Sequence, residues 1–575
     1  MNIHVLASDY DGTMADDGRV PPATAEALAR VRASGRRLVL VTGRMLPDLR
    51  AVCPEADRMF DAIVAENGAI LYLPDRREVR ELGAAPEPAL VDGLRRRGVE
   101  FVLGTSIIAT IERFSQQALA AIREAGVERT LVFNKGACML LPGGVTKETG
   151  LVAALGALDL SAHNMVGIGD AENDHAFLSL CECAVAVADA IPALRERADY
   201  VTRAPSTAGV VEFIEEHVLN DLVTLMPRLA RHRLPLGEAA DGTPVTIAAH
   251  GTTLLIVGPS ATGKSTLTGV LVERLLDSGR SVLLFDPEGD YQSLSELEGV
   301  VVLGGKAEQT LPTADEIGQL VRHPRTSLVL NLSALSRADK VEYATKILGV
   351  VAAVRSAAGV PHWLIVDEAH HVLPAEGSPA AELLRPGTGS LCLISLSAEH
   401  LTPSVPPLAN VVASTERETF EAALRAVLAR NGGEGRLPDV PGGPLAREEI
   451  VLAWLTPEPH ATRFRAGKRR VQHRRHIRKY TEGELPPERS FYFRGPEKAL
   501  NLRAVNLTRF VELATGVDDG TWTHHLRERE YSAWIREMIK DPDLAAEVEQ
   551  VESAEAAPAE SRRRVIDEIR RRYTV

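Results

Sequence analysis

The chain is poor in the features that fix a protein's class at a glance. Its five cysteines, Cys53, Cys138, Cys181, Cys183 and Cys392, are scattered through 575 residues. They form no disulfide framework, and Cys181-Glu-Cys183 is too tight for half of a zinc ribbon. Buried free thiols in a reducing compartment are expected. No apolar run is long enough to span a bilayer. The opening Met-Asn-Ile-His reaches Asp9 and Asp11 at once, unlike a signal peptide, so a cytoplasmic protein without a membrane partner is expected. No segment repeats. Positive charge is also in deficit: the net charge of −13 excludes a chain that is, as a whole, a nucleic-acid-binding polycation, but leaves room for a local basic patch. What is present is an ordinary globular composition, 45% apolar and 25% charged. The length suggests about four domains.

The most specific stretch is Gly258-Pro-Ser-Ala-Thr-Gly-Lys-Ser-Thr266. It fits the phosphate-loop pattern G-x-x-x-x-G-K-[ST]. The apolar run Leu254 to Val257 reads as a buried strand before it, and Leu267 to Leu276 as a helix after it. Gly258 and Gly263 let the backbone curl so that its N–H groups face phosphate oxygens. The helix N-terminus adds partial positive charge. Lys264 would reach the β- and γ-phosphates of ATP, Ser265 would ligate Mg²⁺, and Thr266 completes the motif.

Nearer the N-terminus, Ile3 to Ala7 reads as a strand delivering Asp9 and Asp11 at its C-terminal end, where open α/β sheets bind ligands. Two such carboxylates can divide labour as nucleophile and acid/base. Leu38 to Val41 is a second strand, ending in Thr42-Gly43-Arg44. Lys147 follows a turn and opens a helix. Met165 to Ile168 ends in Gly169-Asp170-Ala-Glu-Asn173-Asp174, bringing more carboxylates to the same edge. Strands alternate with helical patterns, which implies a parallel, doubly wound sheet.

These four motifs in this order resemble the haloacid dehalogenase superfamily of phosphatases, and in detail its Cof-type branch. There a cap lies between the threonine and lysine motifs, and the last motif reads G-D-x-x-N-D. Glu66-Asn67-Gly68-Ala69, Ala198 to Thr202 and Gly209-Val-Val211 are similar to other stretches of that branch. The resemblance covers about the first 215 residues. It implies that Asp9 attacks the phosphoryl group and that Asp11 serves as acid and then base. It implies that Thr42 and Lys147 hold phosphoryl oxygens. Asp170, Asp9 and the carbonyl of Asp11 would bind Mg²⁺, with Asp174 supporting the site. The cap, about 81–141, would set specificity. His163 and His175, near the last motif, are expected at the surface or just behind the site.

Beyond the phosphate loop, Ser281 to Phe285 reads as a strand ending in Asp286-Pro-Glu288-Gly-Asp290-Tyr291. Trp363 to Val366 ends in Asp367-Glu368-Ala369-His370, a Walker B element: Asp367 would organise Mg²⁺ through water, and Glu368 would orient the attacking water. These stretches, with Gly237 to Pro244, resemble the HerA/FtsK class of ring-forming ATPases, which implies a homo-oligomer assembled through this domain. Where that class places a Thr-Gln sensor after the next core strand, this chain has Ser395-Leu-Ser397-Ala-Glu399-His400, a departure that counts against DNA pumping. Arg385 and Arg417 are candidate trans-acting arginines.

Residues 463–479 are rich in Arg, Lys and His and hold no acidic residue. They read as phosphate contacts, to nucleic acid or to a neighbouring subunit's acidic surface, with a solvated linker as the plainer alternative. Ser490 to Arg494 reads as a strand. Thr521 is expected to cap a helix carrying Trp522 and Trp534, and Asp541-Pro542 opens another. Glu549 to Glu560 is expected to be a flexible spacer.

The fold class is therefore α/β. A Rossmann-like haloacid dehalogenase domain with a small α+β cap spans 1–218, a linker helix lies in 219–236, and a P-loop α/β ATPase domain spans 237–460. A basic joint follows at 461–480, then a small α-rich domain at 481–575. The expected activity is bifunctional: a Mg²⁺-dependent phosphate-monoester hydrolase acting on a small metabolite such as a sugar phosphate, fused to an ATP-hydrolysing domain. The rival is a nucleic-acid-processing ATPase with an end-trimming phosphatase. A kinase–phosphatase pair is disfavoured by the Asp-Glu pair, which selects water as acceptor.

Overall fold

The computed structural model describes residues 3–226, 232–260, 262–305, 310–384, 389–428, 448–456, 458–469, 487–496, 500–539, 541–554 and 556–573, with a few single positions between them. It comprises two compact units, one of residues 1–288 with 299–468 and the other of 289–298 with 469–575.

The first unit holds two large sheets. The N-terminal one runs Tyr200–Val201, Cys183–Ala186, Met165–Gly169, Val5–Ser8, Arg37–Val41, Ala62–Ala65, Ile70–Leu73, Glu78–Glu81. The first six strands are parallel, and the last two are added antiparallel. Its central strands read as unbroken apolar runs because helices cover both faces: Val5, Leu6, Leu38, Val39, Ile63 and Val166 are all fully buried. A smaller antiparallel sheet, Val102–Leu103, Ile108–Ile111, Ala137–Pro142, Arg129–Asn134, lies within the stretch expected to be a cap. Helices Pro88–Arg96 and Ser115–Ala125 cover one of its faces. Leu90, Leu94, Ile108, Ile122 and Leu140 close that small core, each worth roughly 1.5–3 kcal/mol.

The second large sheet runs Pro244–Ala248, Arg233–Glu238, His460–Ala466, Glu449–Trp454, Val411–Ser414, Thr253–Val257, Ser390–Ser395, Trp363–Val366, Val282–Asp286, Ser327–Asn331, Val300–Gly304. From Val411–Ser414 onward the strands are parallel. Strand Ser390–Ser395 therefore lies between the phosphate-loop strand and the Walker B strand, so Ser395 emerges between the two motifs. The strand His460–Ala466 pairs with Arg233–Glu238 and Glu449–Trp454, and so occupies the first residues of the expected basic joint. From Arg470 on, that joint, including Arg474 and Arg475, lies outside the described residues, as does Arg385.

The linker helix expected at 220–233 is not formed among the described residues. A π-helical turn, Ile214–Val218, is followed by turns to Leu225, and Arg233 already opens a strand. Asp221 and Leu222 take positive φ, which breaks helical continuation.

The two large sheets meet through the N-terminal ends of their strands. Glu182, just before Cys183–Ala186, accepts from Arg280 Nη2 at 2.9 and 2.7 Å. It also meets His163 Nδ1 at 3.1 Å and His250 Nε2 at 3.3 Å, with His232 Nε2 at 3.9 Å. His362 bridges the sheets: its Nδ1 accepts from Ser281 N–H at 2.8 Å, which leaves Nε2 to donate to Ser161 Oγ at 2.9 Å. Gly359, at φ 73°, brings its backbone so close that a Cβ would lie 2.5 Å from Asn164 Nδ2. His163 is thus neither a surface residue nor one behind the N-terminal motifs: it sits at the opposite end of the strand that leads to Asp170. Burial pushes the pKa values of His163 and His362 down. Burial would raise that of Glu182, but His250, His163 and Arg280 outweigh it and hold the carboxyl well below the usual range.

The second unit packs an aromatic core. Trp522 stacks on Tyr531 with ring centres 4.4 Å apart, and Phe510 on Trp534 at 5.1 Å. Phe491–Phe493 pairs with Leu502–Ala504. Asp541 caps its helix, accepting from Leu544 N–H at 2.8 Å. Thr521 does not cap. Asp518 does, accepting from Thr521 N–H at 2.9 Å, and Thr521 is buried in the first turn. The expected spacer is mostly helical: Pro542–Glu552 runs into it, and Pro558–Arg572 begins inside it.

Candidate functional site

Asp9 and Asp170 sit at the C-terminal ends of adjacent parallel strands, Val5–Ser8 and Met165–Gly169. Lys147 opens the helix Lys147–Ala157, which Thr146 caps by accepting from Thr149 N–H at 3.2 Å. That helix start is fixed by an unusual turn: Glu66, Asn67 and Gly68 all take positive φ, and a Cβ on Gly68 would lie 1.9 Å from the Thr146 carbonyl oxygen. The turn and the helix therefore interlock through the smallness of one glycine.

From there Lys147 Nζ donates to Asp9 Oδ1 at 2.5 Å and to Asp174 Oδ1 at 2.6 Å, all three groups being buried. Asp174 Oδ2 accepts from the N–H groups of Asp170 and Ala171 at 2.9 and 3.0 Å. Thr13 Oγ1 donates to Asp170 Oδ1 at 3.0 Å. One oxygen from each of Asp9, Asp170 and Asp174 lies within 4.8 Å of the others. Burial raises the pKa of Asp9 well above the usual carboxylate range, against the pull of Lys147, and Asp174 and Asp170 raise it further. Asp170 is raised by burial as well. Burial would lower that of Lys147, but Asp174 and Asp9 outweigh it, so the ammonium is held charged. Three buried carboxylates face one buried ammonium, Lys147, and one half-exposed ammonium, Lys135, which still leaves the carboxylates in excess. An all-oxygen donor set of this kind fits a hard divalent cation such as Mg²⁺.

Asp11 stands apart from this cluster. Arg44 holds its carboxylate in a two-pronged fork, with Nε and Nη2 each 2.7 Å from an oxygen. Thr42 is fully buried, and its Oγ1 accepts from Arg44 N–H at 3.1 Å, tying the two motif positions together.

Two contacts are absent from the sequence reading. Lys135, at the tip of the hairpin between Arg129–Asn134 and Ala137–Pro142, places its ammonium on Asp170. Glu66 accepts from the N–H groups of Thr105, Ser106 and Ile107 at 3.0, 2.9 and 3.2 Å, clamping the small sheet to the core. Asn134-Lys-Gly136 is a hairpin-turn signal, but only the fold shows where its tip lands.

In the second sheet, Gly263 at φ 111° precedes the helix Lys264–Asp277. A Cβ on Gly258 would lie 2.3 Å from Thr415 Oγ1, so the loop admits no side chain there. Lys264 Nζ donates to the carbonyls of Gly258 and Pro259 at 2.7 and 2.9 Å. Lys264 and Ser265 are buried, whereas Thr266 is exposed. Asp367 and Glu368 follow Trp363–Val366, and Glu368 takes a left-handed conformation, φ 39°. His370 Nδ1 lies 3.5 Å from both Glu368 Oε2 and Ser395 Oγ. Burial, with His371 and His400 nearby, pushes its pKa down to about 4. A neutral imidazole thus stands beside the strand end at which this chain departs from the Thr-Gln pattern. Arg417 pairs with Glu421 at 3.0 Å. Among the described residues no helix is long and apolar enough to cross a membrane.

Residues 6–114 and 101–214 match the family described as haloacid dehalogenase-like hydrolase, and residues 235–358 match the central domain of helicase HerA. The phosphoglycolate phosphatase of Methanothermobacter thermautotrophicus is 31% identical over 221 residues, covering 37% of this chain and 97% of that protein. That of Haloarcula marismortui is 31% identical over 219 residues, covering 36% and 95%. A solved haloacid dehalogenase-like hydrolase from Bacteroides thetaiotaomicron is 18% identical, with a TM-score of 0.33, covering 37% of this chain and 98% of its own.

Proposed function

Because the chain belongs to the haloacid dehalogenase-like hydrolases through its N-terminal part and carries a HerA central domain after it, we propose a phosphate-monoester hydrolase fused to an ATPase. The observation that carries the first half is the buried Asp9–Lys147–Asp174–Asp170 cluster at one sheet edge. Asp9, Asp170 and Asp174 would hold Mg²⁺, together with the carbonyl of Asp11, and the ion would neutralise phosphoryl charge. Asp9 Oδ attacks phosphorus: the aspartyl O–P bond forms as the ester P–O bond breaks. Asp11, once released from the Arg44 fork and protonated from solvent, hands that proton to the leaving oxygen. It then takes one from the water that cleaves the aspartyl-phosphate. Lys147 and Thr42 hold the phosphoryl oxygens. The named relatives point to a small phosphorylated acid, a narrower substrate class than the sugar phosphate expected from sequence.

In the second half, Gly258, Gly263, Lys264, Ser265 and Thr266 would bind the ATP phosphates, with Ser265 and Asp367 on the Mg²⁺ side and Glu368 orienting water. The domains divide as a hydrolase over 1–218 with its cap within 81–141, an ATPase from Arg233 to Ala466, and a helical unit beyond. The burial of all five free cysteines supports a cytoplasmic protein. A nucleic-acid ATPase is the second reading, favoured by the HerA match, and a homo-oligomer through the ATPase domain goes with it.

The test uses Asp9→Asn and Lys264→Ala in the full chain. Asp9→Asn should abolish ester hydrolysis and keep ATP turnover; Lys264→Ala should do the reverse. Ester hydrolysis retained by Asp9→Asn would remove Asp9 as nucleophile. Acceleration of ATP turnover by DNA or RNA in the Asp9→Asn protein would establish the second reading.

A further inference from the structure

Lys135 is the cap's own cation at the reaction centre. Asn134–Gly136 forms a tight hairpin tip in which Lys135 and Gly136 both take positive φ, 45° and 86°. Two such residues in succession set the turn and aim the tip. The tip lands on the core: Lys135 Nζ contacts Asp170 Oδ2, and Lys135 N lies 3.4 Å from Glu172 Oε2. A Cβ on Gly12, in the turn after Asp11, would lie 3.1 Å from Lys135 Nζ. The ammonium therefore lies beside the turn that follows Asp11. Lys147 is fully buried and spoken for by two carboxylates, whereas the Lys135 side chain is 51% exposed.

Once a divalent cation occupies the Asp9–Asp170–Asp174 cluster, it competes with Lys135 for the charge of Asp170. Lys135 then needs another anion within reach of a stiff hairpin tip. The phosphoryl group is served by Lys147 and the cation. A cap residue that reaches the sheet edge on the hairpin between Arg129–Asn134 and Ala137–Pro142 is placed to meet the part of the ester that is not the phosphoryl group. Where the cap packs on the core the contacts are largely apolar, with Met45, Ala109 and Val132 against Ala69, Ile107 and Met139.

We propose that Lys135 is the specificity-determining residue that binds a carboxylate on the leaving-group side of a short phosphorylated acid. This inference rests on the hydrolase reading above. It assigns a partner to a residue with no part in the phosphoryl chemistry, and it predicts discrimination by the charge of the alcohol rather than by its size.

The experiment compares wild type, Lys135→Met and Lys135→Arg on 2-phosphoglycolate and on ethyl phosphate, a neutral ester of similar size, with Mg²⁺. Lys135→Met should lower kcat/KM for 2-phosphoglycolate by roughly 10- to 100-fold, mainly through KM, and change ethyl phosphate by less than about 3-fold. Lys135→Arg should recover part of the loss. A calorimetric arm uses the Asp9→Asn background with Mg²⁺: Lys135→Met should weaken 2-phosphoglycolate binding by a similar factor and leave ethyl phosphate binding unchanged. Equal losses on both esters would overturn the proposal, because Lys135 would then serve the phosphoryl group or the metal. So would no loss on either. If wild type hydrolyses neither ester, the hydrolase reading is what fails, and the binding arm still decides whether Lys135 reads a carboxylate.

Discussion

Replacing Glu182 by glutamine should cripple the chain's stability without touching either active site. In the folded protein Glu182 is 2% exposed and Arg280 1%. Both Glu182 oxygens accept from Arg280, and two histidines lie within 3.3 Å of the same carboxylate. The side-chain amide of the Glu182→Gln variant would keep the shape and lose the charge, leaving a guanidinium buried with no counter-ion. Breaking a buried pair from one side costs about 3–5 kcal/mol. For a domain of 150–250 residues each kcal/mol moves Tm by about 2–4 °C, so the transition should fall by about 6–20 °C. The assay is thermal unfolding of the full chain at pH 7.5, read by circular dichroism. Ester hydrolysis at 25 °C should stay within about 2-fold, because Asp9 lies at the far ends of the strands. The double variant Glu182→Leu/Arg280→Met should regain most of the loss, since an apolar pair needs no solvation. A shift under 2 °C, or a double variant no better than the single one, would refute the claim that this pair joins the two sheets.

Acid should loosen the same joint. His163 and His362 have depressed pKa values, so below about 6.5 the unfolded chain binds protons that the folded one refuses. Stability is therefore full above pH 7. It falls as pH drops through 6.5, by up to about 1.4 kcal/mol per pH unit for each histidine. Glu182, depressed in the other chemical class, adds a further loss only as pH falls through its own low pKa. His362→Gln, which can still accept and donate, should flatten the decline in melts at pH 7, 6 and 5; an unchanged slope would exclude His362 as its source. Gly68→Ala should destabilise by about 3 kcal/mol or more and slow ester hydrolysis, because its methyl would displace the Thr146 carbonyl at the start of the Lys147 helix. ATP turnover should be unaffected, and a fully active alanine variant would show that the interlock is slack.

The strands and phosphate-binding turns were legible because their signals are local. Val5–Ser8, Thr253–Val257 and Trp363–Val366 are unbroken apolar runs ending in chemistry-bearing residues, and each folds as a parallel strand. Asp9, Asp170, Asp174 and Lys147 come together at one sheet edge, whereas Asp11 is held apart by Arg44. What was illegible depends on which surfaces touch. Lys135 is one lysine in a hairpin until the cap folds over Asp170. His163, His250, His232 and His362 lie far apart in sequence and carry no spacing pattern, so nothing marked them as one cluster. Thr521 was misread because Asp518, three residues earlier, offers a better acceptor to the same helix.

The meeting of the two sheets through their strand starts has a consequence for how the halves can communicate. Each site sits about one strand length, roughly 13–17 Å, beyond the seam. The two sites lie at opposite ends of the joined sheets, so neither opens onto the other at the seam. An influence of nucleotide on ester hydrolysis has a route as displacement along the strands, through Glu182, Arg280 and His362. The seam thus keeps the two sites chemically apart while joining them mechanically.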